Sequence, residues 1–421
     1  MRKITNRDKI NNSPQGLRTY LPEEAGEINS LRERINETFV SWGYKPIITP
    51  TMEYNEIFNI CMGERERQNV YKLVNREGKI MALRPENTSS VARTVANRSK
   101  EINLPARFSY FAPVFRYDPH RERNREITQM GIELVGENDP GEVEVIIIAI
   151  EAIKNTGLKN FKLDIGHIGY VDAVLDNYNL SQEDCNKAKS YLAKRNLAGF
   201  KRFLENLENG EDIGQLLLMR GGRECLEEAE ELLNSKRALK ALEDLKFIYD
   251  FLKDYGVEDY INLDLSLIRN LRYYTGIVFE VFTEKLGYFI CGGGRYDNLI
   301  GQYHDKEIPA AGFALNVDRI RKIAADINGN LSPEIMVIFN SARRKKALSI
   351  IKRLHNEGKR VIMKVVDSSF SESDMIKDCK TKQFNKIIAV FDDELAEDRV
   401  KIIDLKKDMT KYIDSELKGW I

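Results

Sequence analysis

The residues of this chain best placed to do chemistry are Gln129 and Glu133, two positions either side of Gly131 in a run from Glu126 to Val135. The run reads as a β-strand, and side chains on a strand alternate between its faces. Thr128, Met130, Ile132 and Leu134 then share one face, suited to packing on helices. Gln129 and Glu133 share the other, with Gly131 between them. A glycine inside a strand marks the close approach of a ligand or of another backbone. An amide and a carboxylate flanking that bare floor can receive a polar ligand through an ammonium or ring N–H group. The polar face of a sheet that meets water would carry the same residues.

Three other segments carry chemistry. The loop from Arg116 to Glu126 holds Arg116, Arg121, Arg123 and Arg125, and arginine forks suit phosphate. Asp118, Glu122 and Glu126 are interleaved with them, as in a solvated hairpin tip. In Ile268–Glu280, Arg269 and Arg272 flank aromatics in what reads as a strand region, and buried arginines need partners. Tyr273 and Tyr274 fit a pocket wall or a core strand equally well. Arg84, ahead of Pro85 and Glu86, also needs a partner. The run Cys291-Gly292-Gly293-Gly294-Arg295-Tyr296-Asp297 lets backbone approach a ligand or turn tightly. It has neither the Lys-Ser/Thr of a phosphate loop nor the spacing of a dinucleotide fingerprint. No cofactor is expected. The five cysteines (Cys61, Cys185, Cys225, Cys291, Cys379) form no Cys-x-x-Cys, and the four histidines do not cluster. No metal site is therefore expected, and buried reduced thiols are the simplest reading.

These residues need a frame. Pro22 to Trp42 has helical periodicity in Ile28, Leu31, Ile35 and Phe39, with Pro22 and two glutamates in its first turn. Strands are expected at Lys79–Leu83, Arg107–Tyr117 and Glu126–Val135, and helices at Thr88–Arg98 and from Gly141 to about Asn155. Residues 181–255 turn rich in Leu, Glu, Lys and Ala, with breaks at Asn209-Gly210 and Gly221-Gly222. That stretch reads as a helical insertion, about 181–257. The strand pattern resumes at Ile261 and runs through Phe282. Beyond a linker near residues 326–330, strands (Ile335–Phe339, Val361–Val366, Lys386–Phe391) alternate with helices (Arg343–Asn356, Ser371–Thr381). Such alternation predicts a small α/β domain with a largely parallel sheet. The expected domains are 1–327 and 332–421.

The composition is that of a globular protein, 42% hydrophobic and 31% charged over 421 residues. Apolar runs are too short to span a bilayer, and the N-terminus has no signal-peptide core, so a cytoplasmic location is expected. Lys+Arg and Asp+Glu balance at 65 each, so no global basic field draws the chain to nucleic acid.

Several motifs, in order, resemble the class II aminoacyl-tRNA synthetases in their histidyl form. Gly16-Leu17-Arg18-Thr19-Tyr20-Leu21-Pro22 resembles the N-terminal signature. Leu83-Arg84-Pro85-Glu86-Asn87-Thr88 is similar to the family's Leu-Arg-Pro-Glu-Gly-Thr. Phe115-Arg116-Tyr117 through Gln129-Met130-Gly131-Ile132-Glu133 resembles motif 2, Cys291 to Asp297 the Gly-rich histidine segment, and Ala311 to Arg319 motif 3. The resemblance implies an α+β fold: an antiparallel sheet flanked by helices, a helical insertion, and an anticodon-binding-like C-terminal domain. It also implies that Glu86, Thr88, Arg116, Gln129, Glu133, Arg269, Tyr273 and Tyr274 line a histidine pocket. Arg116, Arg125 and Arg319 would remain from a nucleotide site.

Departures fall in the catalytic half. The family's Arg-Gly-Leu-Asp-Tyr-Tyr stands here as Arg269-Asn270-Leu271-Arg272-Tyr273-Tyr274. A carboxylate replaced by a cation inside a ligand site would reverse what that site attracts. In motif 3, Gly-Leu-Glu-Arg becomes Asn316-Val317-Asp318-Arg319, and an Asn side chain should fill space that a glycine leaves for ATP. The pattern is closer to the regulatory subunit of ATP phosphoribosyltransferase, as are Leu192-Ala193-Lys194-Arg195-Asn196-Leu197-Ala198-Gly199 in the insertion. That resemblance implies no catalytic residues. It implies partnership with the short catalytic subunit in a hetero-octamer, a synthetase-like homodimer, histidine as effector, and no tRNA. The alternative is an active, divergent histidyl-tRNA synthetase.

Overall fold

The computed structural model describes residues 13–117, 124–138, 141–269, 271–324, 327, 333–367, 371–382, 384–391, 399–415 and 417. The middle of the arginine loop, Asp139-Pro140, Asn270 and the linker expected after Asp326 lie outside them, apart from Ile327. The chain divides into two compact units, Met1–Gly329 and Asn330–Ile421.

The first unit is built on a nine-stranded sheet. Its centre is antiparallel: Ala106–Phe115, Glu126–Val135, Ala310–Asn316, Leu286–Arg295, Ile277–Thr283 and Lys162–His167 lie side by side in that order. Helices Pro22–Ser41 and Gly141–Asn155 cover one face. The first buries Leu31, Ile35 and Phe39 completely, each contributing about 2 kcal/mol of transfer free energy. The second is apolar nearly all round and is buried from Val143 to Ile153 except at Glu144 and Glu151. Met130, Ile132 and Leu134 join this core, as strand alternation requires. The other face of the same strand carries Gln129, Gly131 and Glu133. The architecture is the α+β one expected, an antiparallel-centred sheet flanked by helices.

The insertion consists of helices Gln182–Ala193, Leu197–Leu204, Gly210–Leu217, Glu224–Leu232 and Lys236–Asp254. It is not wholly helical. The break at Gly221 is a short strand, Arg220–Gly221, that pairs with Ile261–Asp264 at the edge of the main sheet. Phe200, Leu216, Leu226 and Leu245 belong to the same core as the sheet, so the insertion is packed onto it rather than tethered.

Two expectations need correction. Ile261 to Phe282 is not one strand. It leaves the sheet after Asp264, whose carboxylate accepts the Ser266 N–H at 3.0 Å and turns the chain, and it rejoins at Ile277. Residues 265–269 and 271–276 thus form an irregular stretch, tied by a Met62–Leu271 bridge. The C-terminal sheet is mixed rather than largely parallel. Val361–Val365, Ile335–Phe339 and Lys386–Val390 are parallel, and Arg399–Asp404 and Met409–Asp414 add antiparallel strands. Among the described residues no helix is long and apolar enough to cross a membrane.

Candidate functional site

Above the open face of the sheet lies a cleft of about 480 Å³. The strand Glu126–Val135 supplies its floor. Gly131 is required there: a Cβ would collide with the Phe313 carbonyl oxygen and with the Tyr110 hydroxyl from the neighbouring strands. The glycine therefore admits a tyrosine hydroxyl to the floor, which is the close approach that a strand glycine signals. Gln129 lines the cleft and is 8% exposed; Glu133 is sealed at 1%. Neither belongs to a solvated sheet face.

Glu133 accepts the Thr88 hydroxyl at 2.7 Å and the Tyr296 hydroxyl. Thr88 opens helix Thr88–Asn97 and so is held rigidly. Gly312 opposes Glu133 across the sheet, and a Cβ at 312 would strike the Glu133 carboxylate. Burial pushes the Glu133 carboxyl up to about 8, against the opposing pull of the two hydroxyls. Burial also raises Glu86, although the Ser89 N–H donates to both of its oxygens at 3.1 Å. Glu133 is therefore largely protonated at neutral pH, and burial pushes Glu86 in the same direction.

This has a measurable sign. Below the unfolded-state value Glu133 is protonated in both states and contributes nothing. As pH rises towards 8 the unfolded chain ionises first, and stability falls. A Glu133→Gln substitution keeps a donor and an acceptor without titrating. It should flatten the decline in urea-unfolding free energy between pH 5 and 8 by at most about 4 kcal/mol. An unaltered pH slope would mean that Glu133 is ionised in the folded protein.

Opposite the acids stands Arg269, largely covered, with a side chain 11% exposed. Its Nη1 donates to the Phe279 carbonyl at 3.1 Å and lies 3.5 Å from Glu280; its Nε has no hydrogen-bond partner among the described residues. The guanidinium lies over the rings of Tyr274 and Phe289, 5.5 and 5.3 Å from their centroids. A Cβ at Gly292 would collide with Nη1, so the Gly-rich segment makes room for this arginine. Tyr273, Tyr274 and Tyr296 form one ring cluster, with centroids 4.7 to 6.5 Å apart.

Of the residues anticipated, Glu86, Thr88, Arg116, Gln129, Arg269, Tyr273, Tyr274 and Arg319 all line the cleft, and Glu133 lies just beneath it. Arg116 is fixed through Nε to the Pro85 carbonyl at 2.6 Å. Arg319 reaches the Phe289 carbonyl at 2.5 Å and lies over Tyr288. Arg125 is not in the wall; it lies over the Tyr117 ring and donates to Gln15 at 3.3 Å. Arg272 is not in the wall either. Between the Leu271 bridge and buried Tyr273 its side chain turns outward and is exposed. The Asp-to-Arg change thus falls on the surface rather than inside the ligand site. Asn316 lines the cleft and caps the helix Val317–Arg321, accepting the Arg319 N–H at 3.0 Å. Arg84 is a staple, its guanidinium on the carbonyls of Pro113 and Thr49.

Sequence reasoning missed Tyr110, Tyr296 and Asn87. Gly131 and the glycine run were the available signals for the tyrosines. Asn87, where the family pattern has Gly, donates to Gln129 at 3.4 Å and is 1% exposed. Ala193, Lys194 and Arg195 of the insertion also reach the cleft wall.

The family model described as histidyl-tRNA synthetase matches residues 16–320. An ATP phosphoribosyltransferase regulatory subunit from Halothermothrix orenii is 43% identical over 94% of this chain and 96% of its own length. A histidine–tRNA ligase from Methanocaldococcus jannaschii is 34% identical over 93% of this chain and 94% of its own. A solved Bacillus halodurans structure, described as an ATP phosphoribosyltransferase regulatory subunit/histidyl-tRNA synthetase, superposes with TM-score 0.82 at 28% identity. It covers 91% of this chain and 99% of that one. The fold is that of a class II histidyl-tRNA synthetase-like protein. Within that class, the chain belongs to the family of ATP phosphoribosyltransferase regulatory subunits.

Proposed function

We propose that this chain is a non-catalytic regulatory subunit: it joins the short ATP phosphoribosyltransferase catalytic chain, activates it, and confers histidine feedback on the first step of histidine biosynthesis. The observation that carries the reading is the split in the cleft. The end suited to an amino acid is complete, with Arg269, Gln129, Thr88 and the buried acids converging. The end suited to a nucleotide carries Asn316 in place of the family's glycine, and Arg125 stands outside it. The protein acts in the cytoplasm in a hetero-octamer, uses no cofactor or metal, and does not bind tRNA. Its own pairing is a synthetase-like homodimer, which fits the exposure of Ile48, Met52 and Val74.

Adding the purified chain to the short catalytic chain is expected to raise its rate and make it sensitive to L-histidine. No histidine-dependent ATP–pyrophosphate exchange is expected. An unchanged rate and sensitivity would remove the reading. Exchange activity would instead support an active histidyl-tRNA synthetase, the reading favoured by the Methanocaldococcus relative and by Arg116 and Arg319 in the cleft.

A further inference from the structure

The insertion touches the cleft through one turn. Helix Gln182–Ala193 ends at Lys194, and Arg195 follows in left-handed backbone at φ 54°. Asn196 then caps Leu197–Leu204, its carboxamide oxygen accepting the Gly199 N–H at 2.9 Å. This tight stop and restart fixes where Arg195 projects, and left-handed backbone at a bulky residue persists only where its surroundings hold it.

The Arg195 guanidinium enters a cluster of charges. Nη1 donates to Asp264, which also receives Arg220. Nη2 lies 3.4 Å from Asp164 and 3.4 Å from Glu280 Oε2. The other oxygen of Glu280 is the one 3.5 Å from Arg269. Glu280 is thus shared by a pocket arginine and an insertion arginine, and both contacts are long for charge-assisted hydrogen bonds. The cluster is balanced: Arg195, Arg220 and Arg269 against Asp164, Asp264 and Glu280. A ligand carboxylate on Arg269 tips that balance and competes with Glu280. The cation already at the second oxygen of Glu280 is Arg195.

We propose that Arg195 is a positioning residue of the pocket: by holding Glu280 it sets Arg269, and a carboxylate bound at Arg269 draws the insertion tighter onto the sheet through Glu280 and Arg195. This rests on the reading of the cleft as an amino-acid pocket. Coupling of this kind is reciprocal, so whatever fixes the insertion also raises ligand affinity. A plain anchor would need only Asp264; the shared Glu280 links the anchor to the pocket.

The test uses the full chain, L-histidine as probe, calorimetry for affinity and hydrogen exchange for the helices 182–204. Arg195→Lys keeps the charge but loses the fork. It is expected to weaken L-histidine binding about tenfold, within the usual range of coupling between sites. Ligand should slow exchange in 182–204 of the unsubstituted protein and fail to do so in the variant. Glu280→Gln supplies a second readout should Arg195→Lys fold poorly. It removes both the competition for Arg269 and the link to Arg195, so ligand-dependent protection of 182–204 is lost even where affinity is retained. If both variants keep full affinity and full protection, with only the melting temperature lowered, Arg195 is an anchor and the proposal is wrong. If the unsubstituted protein takes up no L-histidine, the amino-acid reading falls and this proposal with it. Normal uptake with unaltered variants removes this proposal alone.

Discussion

Arg269→Ala is expected to weaken L-histidine binding by a hundredfold or more, about 3 kcal/mol, while leaving the fold intact. The cost is large because Arg269 is a largely covered cation, with an Nε donor unused among the described residues and a single long contact to a carboxylate. Removing one partner of a buried charge pair costs 2–5 kcal/mol or more of binding, since the other charge is left without compensation. Gly292→Ala should reproduce the effect from the opposite direction. The new Cβ collides with the far end of the Arg269 side chain, which can swing away, rather than with backbone. The protein should fold with little change in melting temperature and still lose its ligand. Combined, the two substitutions should cost no more than either alone, because both remove the same guanidinium. Gly293→Ala is the contrast: its Cβ would meet the Gly312 carbonyl, and the Phe313 Cβ at 2.6 Å, and should destabilise the sheet itself. Calorimetry paired with thermal melts separates the cases. Retained affinity in Gly292→Ala would mean that Arg269 does not hold the ligand.

Period-two alternation made Gln129 and Glu133 legible, because a strand leaves no choice about which residues share a face. What alternation could not tell was whether that face meets water. The answer depends on Tyr110, from the neighbouring strand, and on Tyr296, just past the end of Leu286–Arg295, which close over Glu133. Arg269 was legible as an arginine needing a partner, but its partner Glu280 lies across a loop that reads as continuous strand. The turn at Asp264 is made by a side-chain acceptor, and hydrophobic periodicity does not register it. Arg272 misled for the same reason. In a strand its side chain would share a face with Tyr274; in the irregular segment it points outward. The helical insertion was legible by composition. Its short strand at Arg220 was not, since two residues carry no pattern.

Asp264→Asn is expected to be the most damaging single change of charge in the first unit, at about 3–5 kcal/mol, the usual cost of stripping one partner from a buried ion pair. Asp264 has no exposed surface and accepts Arg195, Arg220 and Ser266. Without its charge the two guanidinium groups face each other at the joint between insertion and sheet. For a unit of this size that loss lowers the melting temperature by roughly 10 °C. The pH signature separates it from Glu133. Burial alone would raise the Asp264 carboxyl, but the Arg220 hydrogen bond, the Arg195 charge and the Ser266 hydroxyl hold it below the ordinary aspartate value. A lowered carboxyl contributes stability above its unfolded-state value and loses it as pH falls through the folded one. The gap between the unsubstituted protein and Asp264→Asn should therefore be full at neutral pH and close in acid. For Glu133→Gln the difference from the unsubstituted protein grows as pH rises from 5 to 8. One carboxylate is kept charged to fasten the insertion, and the other is kept neutral in the floor of the cleft. Denaturant midpoints at pH 2, 3, 5.5, 7 and 8 would distinguish these roles: an Asp264→Asn gap that stays full at pH 2, or a Glu133→Gln difference that is equal at pH 5.5 and 8, would contradict the role assigned to that residue.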